Sequence, residues 1–182
     1  MSGVSHPFRH KQNPGAGRQK THLKINTKDL ALTIIFAALY AALVVVFSPI
    51  AFGVAQFRIA GVLRPAIAKK WILSFGYGLG ALIGNFFSPF AGPWDLVFMP
   101  IMSITAGLAG FLVAKRFKQN YFVSGVVTAL IIAVSLSFMF EQLGISPFIA
   151  TVPMLLVTEL AACLIGAVVF TLIDKRFKWW QT

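Results

Sequence analysis

Six apolar runs, at residues 30–47, 54–68, 71–87, 96–114, 122–140 and 153–173, alternate with short polar breaks along the chain. An α-helix crosses a ~30 Å hydrocarbon core in about 20 residues. The pattern therefore predicts an all-α integral membrane protein with six transmembrane helices in one compact bundle. The second run is the shortest and contains Gly61 and Pro65, both unfavourable inside a helix, so its boundaries are the least sharply marked.

The basic residues gather at alternate breaks. Six lie within residues 1–28, followed by Lys69 and Lys70, then Lys115, Arg116 and Lys118, then Lys175, Arg176 and Lys178. The intervening breaks, residues 48–53, 88–95 and 141–152, contain no Lys or Arg. Cytoplasmic loops of membrane proteins carry the basic excess, so both termini are expected in the cytoplasm and the protein in the plasma membrane. Residues 1–28, with all three histidines and no acid, are expected to be a disordered cytoplasmic tail, and residues 29–182 the membrane domain.

Composition narrows the function. The chain is 58% hydrophobic and 12% charged, against about 25% charged for a soluble domain. Its net charge of +11 is topological, because each basic block borders an apolar run and none is interleaved with base-stacking aromatics. Cys163 is the sole cysteine, which rules out an intrachain disulfide. No Walker phosphate loop and no GxSxG occur, and every histidine lies in the tail. ATP hydrolysis, zinc proteolysis and Ser/His hydrolysis are therefore not expected of this chain, which reads as a non-enzyme without a cofactor of its own.

Arg58 and Arg64 lie outside the basic blocks, inside the second run. A rise of ~1.5 Å per residue puts Arg64 ~8 Å from the inner border marked by Lys69, close enough for its side chain to snorkel to the interface. Arg58 falls ~17 Å up if the run is helical throughout, or on a pocket wall if residues 54–57 are extended. An intramembrane charge at that depth is a functional candidate. Glu159, ~24 Å up the last run, has Ala162, Cys163 and Gly166 on its helical face, which turns it into the bundle. There it serves either as a partner for Arg58 or as a solute ligand. Asn85 lies ~22 Å up, beside the strip Gly76, Gly80 and Gly84, whose spacing first predicts close helix packing. Asp95 and Glu141 fall at the outer border as loop acids or pocket-rim groups, and Trp94 as an interfacial belt residue or a stacking platform.

The first run contains FAALYAAL, in which Ala37 and Ala41, and Ala38 and Ala42, are each one helical turn apart and offer a small-residue face for another helix. In a protein of this size and layout, this resembles the surface by which substrate-binding S components of energy-coupling factor (ECF) transporters dock on their transmembrane partner. FGVAQFRI at residues 52–59 and SPFAGPWDLVF at residues 88–98 resemble the QueT family of S components, associated with queuosine precursors of the 7-deazaguanine type. The resemblance implies that Gln56 and Arg58 shape the first outer loop and the start of the second helix, with Asn85, Trp94 and Asp95 bordering the solute pocket. Ala60, Gly61 and Val62 stand where the family pattern has a Ser-Glu-Ala type run, which implies either a different heterocycle or the use of Glu159 instead.

The expected function is capture of a planar, deazapurine-like solute by Gln56, Arg58, Asn85, Trp94, Asp95 and Glu159. The resemblance implies a scaffold subunit docked on Ala37, Ala38, Ala41 and Ala42, and two partner ATPases that use the ATP. A self-sufficient secondary carrier or channel gated by Arg58 and Glu159 is the first alternative. A non-transport subunit that uses its small-residue faces for assembly is the second.

Overall fold

The computed structural model describes residues 26–52 and 56–180. The expected tail lies outside the described residues except at its end, where Thr27 and Lys28 already belong to the first helix. All regular elements among the described residues are helical: α1 (Thr27–Val46), the short α2 (Ser48–Ala51), a 3-10 helix (Ile59–Ala68), α3 (Leu73–Asn85), a π-helical turn (Trp94–Phe98), α4 (Met99–Arg116), α5 (Tyr121–Gln142) and α6 (Phe148–Arg176).

Four stretches are long and apolar enough to cross a membrane: Thr27–Val46, Trp94–Arg116, Tyr121–Gln142 and Phe148–Arg176. The second and third apolar runs form shorter rods. Pro65 supplies no amide hydrogen, and the second run winds as a tight 3-10 helix whose bonds close over three residues, as from Gly61 N to Arg58 O at 2.8 Å. At ~2.0 Å per residue it extends ~20 Å, short of a full hydrocarbon core.

This tight span runs through the protein interior rather than along its edge. Ala60, Gly61, Arg64, Pro65, Ala66, Ile67 and Ala68 are all buried in it. Small residues on its neighbours make room: a Cβ at Gly166 of α6 would run into the Val62 carbonyl, and one at Gly61 would lie 3.0 Å from Ala162 Cβ. The expected packing of the Gly76, Gly80 and Gly84 strip is present, since these glycines bring α3 onto the Thr33, Ala37, Tyr40 and Val44 side of α1. Ile34, Ile35, Val46, Ile101, Leu112, Ile149, Val157 and Leu172 point outward as an apolar coat. An apolar exterior around a polar-lined interior is the arrangement that a lipid solvent favours.

Candidate functional site

Between the α1–α2 end, the loop before α4 and the α5–α6 connection lies a cavity of about 460 Å³. Its walls include Phe52, Phe90 and Phe140, with Gln56, Ser146 and Thr151 as polar groups. Three aromatic faces with a few polar groups suit a flat solute of small-molecule size. Gln56 is 2% exposed and sits at a left-handed φ of 48°, and among the described residues its Oε1 has no hydrogen-bond partner. Leaving such an acceptor unpaired costs about 1–3 kcal/mol, so a donor entering the cavity would recover that cost.

A second set of polar groups stands behind this wall. Arg58, in extended conformation immediately before the tight span, is 3% exposed and lies over the Phe52 ring at 5.4 Å. The π turn closes with Met99 N bonded to Trp94 O and turns Asp95 fully inward. Asn85, at the end of α3, donates through Nδ2 to Asp95 Oδ1 at 2.8 Å and to the Asp95 carbonyl at 2.9 Å. Arg58 and Ser88 also act on the Asp95 carboxylate, although its Oδ2 makes no direct hydrogen bond. Among the described residues, Arg58 Nε, Asn85 Oδ1 and Asp95 Oδ2 thus make no direct hydrogen bond.

The structure accordingly brings Gln56, Arg58, Asn85 and Asp95 to one end of the bundle. Trp94 is half-buried in a ring cluster with Phe98 at 5.4 Å and Phe138 at 5.8 Å, beside the cavity wall rather than in it. Glu141 is exposed and accepts a bond from Phe148 N at 3.4 Å. Glu159 lies five residues beyond the cavity-lining Met154 on α6, ~8 Å deeper along the helix axis.

Two expectations about the charges are corrected. Arg64 does not snorkel: it is 0% exposed, and its guanidinium is ion-paired with Glu159, donates to Tyr40 Oη at 3.2 Å and lies 5.2 Å from the Tyr77 ring centre. The cause is the close approach of the tight span to α6, where Gly61 packs against Ala162 and the Val62 carbonyl against Gly166, which brings Arg64 within reach of Glu159. The expected partnership of Arg58 with Glu159 therefore gives way to Arg64 with Glu159, and Arg58 keeps company with Asp95.

The alanine face is divided. Ala37 and Ala41 are buried, with the Ala37 carbonyl 2.7 Å from where a Cβ on Gly80 would lie, whereas Ala38 and Ala42 are exposed. Only the latter pair lies on the outer surface of the bundle.

Phe52, Phe90, Phe140, Ser146 and Thr151 were not singled out from the sequence. Phenylalanine is frequent here, 18 residues in all, so its cavity-facing members look like lipid-facing ones. Ser146 and Thr151, which bond to each other at 2.9 Å, lie in the break at residues 141–152, where hydroxyl residues are ordinary in a loop. Among the described residues, no His, Cys, Asp and Glu are grouped to hold a metal ion.

A family model described as QueT transporter matches residues 30–175. The chain is 29% identical over 171 residues to the queuosine precursor transporter QueT of Lactococcus lactis subsp. cremoris (strain MG1363), covering 84% of this chain and 96% of the relative. No solved structure matches.

Proposed function

Because this chain belongs to the QueT transporter family, we propose that it is the solute-capturing subunit of an ECF-type importer, and that its solute is a queuosine precursor or related 7-deazaguanine base. The observation that carries this reading is Gln56, buried in the cavity wall with an unpaired carbonyl oxygen. A guanine-like base offers adjacent N–H donors and one carbonyl acceptor on one edge, and two flat faces. Gln56 Oε1 takes one of these donors and the Ser146 hydroxyl in the same wall faces the carbonyl, while Arg58, Asn85 and Asp95 stand behind that wall. Phe52, Phe90 and Phe140 supply the apolar surface against which the ring lies. Selectivity follows from the same atoms, because a solute without the matching groups leaves them buried and unpaired.

The membrane domain makes six crossings, with the tight span and α3 as the two short ones, and both termini face the cytoplasm of a plasma-membrane protein. The solute cavity then opens outward. The scaffold subunit docks on the Ala38 and Ala42 side of α1, and two ATPases bound to that scaffold use the ATP.

Thermal unfolding with added bases tests the assignment. A ligand at ~100 times its Kd stabilises a protein by about 2.7 kcal/mol, a readily measured rise in Tm. 7-Deazaguanine is expected to produce that rise and 7-deazaadenine, with its reversed edge, is not. Equal responses to the two bases, or none to either, would refute the reading.

A further inference from the structure

At the end of the bundle away from Asn85 and Asp95, lysines from three separate elements meet around one cavity of about 340 Å³. Lys69 closes the tight span, Lys118 stands in the turn between α4 and α5, Lys175 lies in the last turn of α6 and Lys178 two residues beyond its end. Asp174 is the acid in this wall and is shared, 3.6 Å from Lys69 and 3.9 Å from Lys178. Four ammonium groups against one carboxylate leave a concentrated positive field.

Two of the lysines are held by rings. Lys69 Nζ lies 4.9 Å from the Tyr121 ring centre and 4.5 Å from that of Trp180, and Lys178 Nζ lies 4.9 Å from the same Trp180 ring. Cation–π contacts fix where an ammonium points. Here they bring two like charges to one indole, although basic residues that served topology alone would separate into water. Lys115 and Arg116, exposed at the end of α4 and absent from the cavity wall, are that ordinary kind. The N-terminus of α5 opens onto the same space through Tyr121, adding the partial positive charge of its first amides.

Exposed apolar side chains flank the lysines: Phe117 beside the turn, Phe122 on α5, and Leu172 and Phe177 at the end of α6. A free phosphate would satisfy the ammonium groups but not this flank. We propose that the cavity binds the phosphate headgroup of an acidic phospholipid, with its acyl chains lying against the Phe122 and Leu172 side of the bundle. Basic pockets between helix ends at the membrane surface are suited to such headgroups.

The test uses the full chain purified in neutral detergent, with lipid binding followed by native mass spectrometry against added phosphatidylglycerol or phosphatidylcholine. Phosphatidylglycerol is expected to bind preferentially. Lys118→Gln with Lys175→Gln should weaken it roughly 10-fold or more, from the contribution each lysine makes near a membrane surface. Lys115→Gln with Arg116→Gln, which removes the same charge outside the cavity, should leave binding as it was. Thermal scans of both variants check that the exposed substitutions leave the fold intact. Equal losses in the two variants, or no preference between the lipids, would overturn the site. Glycerol phosphate competing as strongly as the lipid at equal concentration would also overturn it, in favour of a free-phosphate site.

Discussion

Arg64 on the tight span and Glu159 on α6 are ion-paired in the interior, 0% and 1% exposed. The pair ties a segment with few helical bonds of its own to the longest helix of the protein, and the Tyr40 hydroxyl extends the connection to α1. Glu159 Oε1 and Arg64 Nε make no hydrogen bond among the described residues, and Glu159 lies deeper along α6 than the cavity-lining Met154.

Removing one member of that pair strands the other. Loss of one partner of a buried pair costs about 3–5 kcal/mol, so Glu159→Gln is expected to lower thermal stability sharply. Arg64→Met combined with Glu159→Leu should recover much of the loss, since no buried charge remains. Scanning fluorimetry of the single and double variants checks this, and an unchanged Tm in Glu159→Gln would count against it.

Gln56→Met should separate binding from stability. Methionine nearly preserves the shape but removes an acceptor that lacks a partner among the described residues. The unliganded variant is expected to be as stable as the parent, or slightly more so. Its solute affinity should fall by a factor of roughly 10 to 100, the equivalent of one buried hydrogen bond. Isothermal titration and an unliganded Tm together decide the matter; a destabilised variant with normal affinity would reverse the assignment.

Arg58 and Asp95 should behave as a coupled pair. Asp95→Asn leaves Arg58 as a buried cation without its opposing charge, and Arg58→Met leaves Asp95 in the corresponding state. A double-mutant cycle on Tm-derived stability should return a coupling of about 0.5–3 kcal/mol, with the double variant better than the sum of the singles. Strict additivity would mean that the two charges do not act on one another.

Ala41→Leu and Ala38→Leu should have different consequences although they lie three residues apart. Ala41 is packed inside, so the larger side chain is expected to cost about 1–3 kcal/mol of stability. Ala38→Leu with Ala42→Leu should leave stability and solute binding intact but block co-purification with the scaffold subunit. Normal assembly of that double variant would remove α1 as the docking helix.

Much of the architecture is legible in the sequence because lipid imposes a simple rule on it. Apolar runs, and basic clusters at alternate breaks, reflect where hydrocarbon and headgroups lie, and the long helices fall where those runs predict. Rotation about each axis is less legible. Arg64 is buried against Glu159 because Gly61 and Gly166 let the tight span approach α6 closely, a tertiary approach that no pattern within its own run announces. The AxxxA pairs have the same spacing on two diagonals of α1, and only the glycine strip on α3 selects Ala37 and Ala41 as the inner one. Asp95 faces inward through a π turn that no periodic pattern announces.

Liposomes containing the chain alone should bind the solute but not accumulate it, because the energy source of an ECF-type importer resides in its partner subunits. Gradient-driven accumulation by the lone protein would instead support a self-sufficient carrier.

The most direct measurement is equilibrium dialysis of labelled 7-deazaguanine against the purified protein and against Ala150→Trp, which fills the cavity from the α6 side without removing a polar group. The account predicts saturable one-to-one binding to the parent and its loss in a variant of normal Tm. No saturable binding to the parent, or undiminished binding with the cavity filled, would contradict it.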